Sequence, residues 1–300
     1  MRTETGPIYR QRILKVLLHI QERLDEPLTL EELAGVACFS PFHFHRVFRG
    51  LVGESVMEHI RRLRLERAAS RLAAGGKNIL GIALDAGYET HESFTRAFQA
   101  MFGEPPSAYR RRRAARFASA PSGVHFEPTR GLRTFQPRTR GGKAMKVRIE
   151  KVKPRRVAFV RHIGPYEKCG PAWSKLCSWA GPKGLLGPAS LCIGVSYDDP
   201  EVTPPEKIRY DACVTVGEGV KAEGEIGVQT IPGGEYAIFT HQGPFEGLLK
   251  TYQAIFGEWA PKSGRVIRAG PGYEVYLNAP HPPPPEKLLG DLYVARDPQK

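Results

Sequence analysis

A stretch of this chain occurs twice, and the repetition limits what the first half can fold into. Phe39 to Leu51 reads F-S-P-F-H-F-H-R-V-F-R-G-L, and Tyr88 to Met101 reads Y-E-T-H-E-S-F-T-R-A-F-Q-A-M. Phe44, Arg46, Phe48 and Gly53 are matched by Phe94, Arg96, Phe98 and Gly103 at an offset of 50. Upstream the offset is 49, with Ala34, Ala37 and Phe39 against Ala83, Ala86 and Tyr88, so the one-residue difference falls in a turn. Ser40-Pro41 is a helix start, a side-chain oxygen for the first amides followed by a residue whose φ suits N1. Phe44, Val47, Phe48 and Leu51 recur at i, i+3, i+4 and i+7, which predicts one inward apolar stripe. In the second copy Phe94, Ala97, Phe98 and Met101 take that role.

The outward stripes carry the chemistry. Phe42, His45, Arg46 and Arg49 form the first, and Glu92, Thr95, Arg96 and Gln99 the second. Arginine can grip guanine O6 and N7 bidentately, and an apolar ring can meet a thymine methyl. A single such helix reads equally well as an amphipathic surface helix with two arginines. The duplication favours base reading, because a short apolar segment precedes each copy (Leu30 to Val36, Ile79 to Leu84), giving short helix, tight turn and longer helix twice over. Two such heads could address successive major-groove faces roughly 34 Å apart.

Charge agrees. The net charge is +13, and residues 1–144 hold 24 Lys and Arg against 14 Asp and Glu, while 145–300 hold 20 against 17. The excess sits with the repeated helices, as phosphate neutralisation requires. The five cysteines are odd in number and include no C-x-x-C, so neither a disulfide framework nor a zinc ribbon is indicated. No run of 18 apolar residues and no signal-peptide pattern occurs, so a soluble, cytoplasmic protein with no membrane partner is expected. No cofactor or metal site is expected; His43 and His45, two apart on a helix, diverge.

Around the repeat, Pro7 to Leu24 is predicted to be an amphipathic helix. Thr29 to Glu32 and Ser55 to Glu58 read as capping boxes. The second opens a long helix ending near Ala74, a rigid spacer between the two heads. Asn78 caps the next short helix, and Ser107 to Arg113 forms a last turn. The run Arg110 to Arg113 reads either as a phosphate clamp or as a solvated helix end. Residues 113–144, rich in Arg, Ala, Ser, Pro and Gly, read as a linker.

With these residues in place, 8–112 resembles an AraC/XylS-family DNA-binding domain. The resemblance rests on Leu30 to Ala37, Phe39 to Phe48, Ile60 to Ala69, Ile82-Ala83, Gly87-Tyr88, Phe94 to Phe98 and Phe102 to Tyr109. It implies a bacterial, all-α domain of two helix-turn-helix units on double-stranded DNA. Base-reading residues then correspond to Phe42, His45 and Arg46, and to His91, Glu92, Ser93 and Arg96. Ser40, Arg49 and Thr90 complete the expected DNA surface. Glu92 departs from a neutral or basic edge; it could accept from a cytosine amine or repel phosphate.

Residues 145–296 hold a second duplication. His162-Ile163-Gly164-Pro165-Tyr166-Glu167 returns as His241-Gln242-Gly243-Pro244-Phe245-Glu246 at offset 79. Pro204, Pro205, Glu206, Lys207 and Asp211 return as Pro284, Pro285, Glu286, Lys287 and Asp291 at offset 80. Alternating segments precede each H-x-G-P-[YF]-E, a helical segment follows, and two strand-like runs close each unit. Two βαββ-type repeats are thus predicted to pair into one α+β domain with a central groove. The histidines, being repeated, read as structural turn residues.

This half resembles the GyrI-like effector-binding domain, through the H-x-G-P-Y-E turn and Gly272 to Leu277. The resemblance implies a buried carboxylate that meets cationic, often aromatic ligands of the multidrug kind, and it maps onto Glu274. The residues point the same way. The offset-80 partner of Glu274 is Gly194, so the acid exists in one copy only. Buried and unpaired, it would be costly to desolvate, and a cation would relieve that cost. The bland alternative is an outward-facing Glu on an alternating strand. Trp173, Tyr197, Tyr252 and Tyr276 are candidate stacking walls.

The chain is therefore read as a multidomain regulator rather than an enzyme, with DNA and a small-molecule effector as partners. RNA polymerase is a further candidate partner, and a monomer or a homodimer would each serve. Two alternatives stand: a GyrI-like hydrolase of electrophilic small molecules fused to a DNA-binding domain, or a protein-binding module. No P-loop, H-E-x-x-H, G-x-S-x-G or dinucleotide fingerprint occurs.

Overall fold

A computed structural model describes residues 5–127, 135, 145–263, 267–268, 270–278 and 284–296. They divide into two compact units, a helical one made chiefly of Gly6–Arg140 and an α+β one made chiefly of Gly141–Ile255 and Trp259–Lys300.

The helical unit contains α1 (Thr5–Glu22), α2 (Leu30–Val36), α3 (Pro41–Val52), α4 (Val56–Ala74), α5 (Ile79–Asp85), α6 (His91–Phe102) and α7 (Pro106–Arg112). Most helix starts are set by local side chains. Thr29 accepts from Glu32 N, Asn78 from Gly81 N and Thr90 from Ser93 N. Ser55 and Glu58 form a complete capping box, each side chain bonded to the other's amide. Two expected caps differ. Ser40 makes no side-chain capping bond, although Pro41 does stand at the first turn as expected. At Thr29 the box is half made, since the Glu32 carboxylate turns to His19 and Arg23 at 3.0 Å each.

Phe44, Val47, Phe48 and Leu51 are buried, as are Phe94 and Phe98, so both predicted stripes face their cores. The second core closes around Leu65, Leu72, Ile82, Phe94, Phe98, Phe102 and Tyr109. Helix α4 serves both heads, and its arginines have structural duties. Arg64 donates to Leu24 O and Glu26 O, and Arg67 to Asp85 O. Arg110 donates to Lys77 O and Arg112 lies 3.2 Å from Glu104, so part of the basic run ties helix ends together.

The first part of the expected linker lies against this unit. Val124 is buried, and the Glu66 carboxylate of α4, itself 1% exposed, binds His125 Nδ1 at 3.0 Å and Phe126 N at 2.9 Å. Gln21 donates to His125 O. Low periodicity hid this because the segment docks by polar bonds rather than an apolar stripe. Of the rest of the expected linker, Phe135 is buried and its carbonyl accepts from Arg10, while 128–134 and 136–144 lie outside the described residues.

The α+β unit is an antiparallel eight-stranded sheet: β1 (Val147–Val152), β2 (Arg155–Ile163), β3 (Cys192–Ser196), β4 (Arg209–Thr215), β5 (Gly227–Ile231), β6 (Gly234–Gln242), β7 (Gly272–Tyr276) and β8 (Leu289–Arg296). Helices α8 (Gly170–Ala180) and α9 (Leu248–Ala254) follow β2 and β6. The order is β1-β6-β8-β7-β3-β4-β2-β5. Exchanging β1–β4 for β5–β8 simply reverses it, so the duplication is a pseudo-twofold whose axis passes between β3 and β7. The first strand of each repeat crosses to the other, β1 pairing with β6 and β5 with β2.

One sheet face packs on itself through Val157, Ile193, Cys213, Ile238, Tyr273 and Val275. The other takes α8 through Ala172, Leu176 and Ala180 against Ala158, Val160 and Ala212. The repeated turns are alike. His162 Nε2 lies 3.0 Å from Pro165 O, and His241 Nε2 lies 3.1 Å from Pro244 O. Gly164 and Gly243 adopt φ of 140° and 118°, which a side chain would oppose. Both histidines hold their turns, as expected.

Candidate functional site

On the axis, strand register pairs Gly194 of β3 with Glu274 of β7, a position paired with its own repeat image. Glu274 is 2% exposed, so the outward-facing alternative is excluded. It is not unpaired, as the sequence had suggested. Tyr252 Oη on α9 donates to its Oε1 at 2.6 Å, and Ser196 Oγ lies 3.5 Å from both carboxylate oxygens. These neighbours are neutral hydroxyls, which solvate the acid while adding no charge.

Aromatic side chains gather on the sheet face that holds the acid. Trp173 on α8 and Tyr252 on α9 occupy equivalent positions at offset 79, one from each repeat. Trp173 Nε1 donates to Tyr210 Oη at 3.1 Å, and Tyr210 and Tyr276 share a hydrogen bond of 2.8 Å between their hydroxyls. The Trp173 and Phe245 rings meet Tyr276 edge-on at 5.5 and 5.0 Å, and Tyr166 meets Tyr210 at 5.9 Å. Gly194 makes room for the tyrosine pair: a Cβ there would lie 2.4 Å from both hydroxyl oxygens. Burial pushes both phenols well above their usual range, with the Glu274 charge adding to it, so they stay protonated. Burial likewise pushes the Cys169 thiol up.

The structure thus brings together Glu274, Tyr276, Trp173 and Tyr252, but not Tyr197. Tyr197 Oη donates to Asp211 at 2.8 Å, beside Arg161, on the sheet face opposite Glu274. The reason is alternation: Tyr197 is one residue beyond Ser196, which faces the acid. Sequence reasoning missed Tyr210 and Ser196. Their signal was the asymmetry used for Glu274, since Tyr210 corresponds to Gly290, and Tyr276 to Ser196, at offset 80.

In the helical unit, α3 carries Phe42, Arg46 and Arg49 half-buried on its outer side. His45 has no exposed surface, unlike the stripe expected of it. Its counterpart Thr95 is half-buried too. On α6, His91, Glu92, Arg96 and Gln99 are exposed and Ser93 is half-buried, with Thr90 exposed at the cap.

Comparison with known proteins agrees with this architecture. Residues 33–112 match a helix-turn-helix domain, and 145–295 match the GyrI-like small molecule binding domain. The chain belongs to the AraC-type regulators that carry a GyrI-like domain, and it is a DNA-binding transcription regulator. It is 41% identical over 102 residues to the HTH-type transcriptional regulator YbfP of Bacillus subtilis, covering 34% of this chain and 35% of that one. With the right origin-binding protein of Escherichia coli K12 it shares 26% over 279 residues, 89% of this chain and 90% of the other. The probable transcriptional regulator YgiV of the same organism is 32% identical over 142 residues, 46% of this chain and 88% of that one. No helix among the described residues is long and apolar enough to cross a membrane.

Proposed function

We propose that the α+β unit senses a small cationic, aromatic molecule held around Glu274, and that α3 and α6 read operator bases. The observation that carries the effector reading is a carboxylate 2% exposed on the pseudo-twofold axis, bonded by the Tyr252 hydroxyl on the sheet face that also carries Tyr276 and its partner Trp173. Removing a carboxylate from water costs several kcal/mol. Hydroxyl donors offset part of that cost, and a cation offsets more. Aromatic faces favour the same ligand. On the DNA side, Arg46 of α3 and Arg96 of α6 are the base readers, with Phe42, Arg49, His91, Glu92 and Ser93 at the same surface.

All three tryptophans (173, 179, 259) belong to the α+β half, so their fluorescence reports on this unit. Titration of the full chain with tetraphenylphosphonium should quench it saturably in the wild type and at least tenfold more weakly in Glu274→Gln. Equal affinity in both would remove Glu274 from the site. Sensing without turnover is the reading adopted here; chromatography of ligand recovered intact supports it, and accumulating product would move the unit to the hydrolases.

A further inference from the structure

Not every hydrogen-bond donor beside the acid meets an acceptor among the described residues. Trp173 Nε1–H, Tyr210 O–H and Tyr276 O–H are three donors, linked by two bonds, Trp173 to Tyr210 and the one between the tyrosines. One phenolic proton therefore has no acceptor among the described residues. Which proton it is follows from polarisation. A hydroxyl that accepts a hydrogen bond becomes the better donor. Either hydroxyl can donate in the pair; because Tyr210 accepts from the Trp173 indole, cooperativity favours its donating to Tyr276, which leaves the Tyr276 proton over. Of the pair, Tyr276 is partly buried and Tyr210 is 4% exposed.

The ring that carries this donor is packed in place. Trp173 and Phe245 hold the Tyr276 ring edge-on from two sides, and Gly194 beneath leaves the hydroxyl pair unobstructed. Glu274 lies two residues before Tyr276 on β7, so both side chains rise from the same face of the same strand. The face presents an anionic acceptor and, one strand step along, a neutral donor.

We infer that this site selects cations that also carry a hydrogen-bond acceptor, such as a carbonyl oxygen, placed to receive the Tyr276 proton. The selectivity rests on the Glu274 reading above: the acid binds the charge and Tyr276 discriminates among charged ligands. A bare lipophilic cation leaves the phenol to water, whereas the acceptor-bearing cation replaces that water with a fixed bond.

The test uses two phosphonium ions of nearly equal shape, (4-acetylphenyl)triphenylphosphonium and (4-isopropylphenyl)triphenylphosphonium, titrated by tryptophan quenching against the full chain. A neutral hydrogen bond predicts about two- to tenfold tighter binding of the acetyl compound. In Tyr276→Phe that preference should fall to unity while the isopropyl compound still binds. In Tyr210→Phe the acetyl compound should keep an advantage, reduced by the lost polarisation. Equal wild-type affinity for the two ions would overturn the inference and leave the Glu274 reading standing. So would a preference that survives Tyr276→Phe but disappears in Tyr210→Phe. Failure of both ions to bind the wild type would overturn the effector reading and this inference with it.

Discussion

Gly194→Ala is the sharpest test of the axis geometry. The added Cβ would sit 2.4 Å from both Tyr210 Oη and Tyr276 Oη, about 1 Å inside contact. Neither ring can retreat freely, because Trp173, Phe245 and Tyr166 pack against them. Overpacking costs about 1–3 kcal/mol, and loss of the tyrosine–tyrosine bond adds about 1 kcal/mol. Restricting the unfolded chain returns only about 0.4–1 kcal/mol. A net loss of about 1–3 kcal/mol lowers the midpoint of a unit of roughly 150 residues by about 2–4 °C per kcal/mol, or about 2–12 °C. Thermal unfolding followed by tryptophan fluorescence isolates this unit, since all three indoles are in it. Gly290→Ala is the control: its Cβ would meet Val275 O at 3.7 Å and Tyr276 Cδ1 at 4.0 Å, ordinary contacts, and should shift the midpoint by less than about 2 °C. Equal midpoints for the two variants would refute the placement of the tyrosine pair over Gly194.

Other perturbations probe the rest of the molecule. Arg46→Ala and Arg96→Ala should each cost about 1–3 kcal/mol on the cognate operator by gel shift, with less loss on random DNA; equal losses on both would make them phosphate contacts only. Glu66→Ala removes one of the two carboxylates on the buried Arg62, which keeps Glu54, and releases His125 and Phe126, so it should destabilise the helical unit by about 1–3 kcal/mol and expose the 114–127 segment to protease; an unchanged digestion pattern would count against that docking. Burial alone would raise Glu54, but hydrogen bonds from His59 and Arg62 hold it down to about 2. Its folded value thus lies below its unfolded one, so its stabilisation is full above about pH 4.5 and fades as pH falls toward 2. Glu54→Gln should flatten the acid limb of the urea-unfolding profile over that window, and an unaltered limb would refute the assignment.

Much of this was legible in the residues. Apolar spacing fixed which faces of α3 and α6 turn inward, because a helix repeats every 3.6 residues whatever surrounds it. Ser55, Asn78 and Thr90 mark helix starts through bonds reaching only three residues along the chain. The two offsets, 50 and about 80, revealed both duplications, and the lone acid at position 274 against Gly194 singled out the site.

What only the tertiary structure decided is long-range pairing. Alternation along β3 and β7 shows that Ser196 and Tyr197 face opposite ways, but not which side holds the acid; the register of β3 against β7 decides that. The exchange of β1 and β5 between repeats, and the meeting of Glu274 with its own image at the axis, join residues about 80 positions apart. No local periodicity encodes those pairings, since they arise when the two repeats bury their apolar faces together. Tyr210 entered the site for the same reason: its hydroxyl bonds across the axis to Tyr276, over a glycine that leaves room for both.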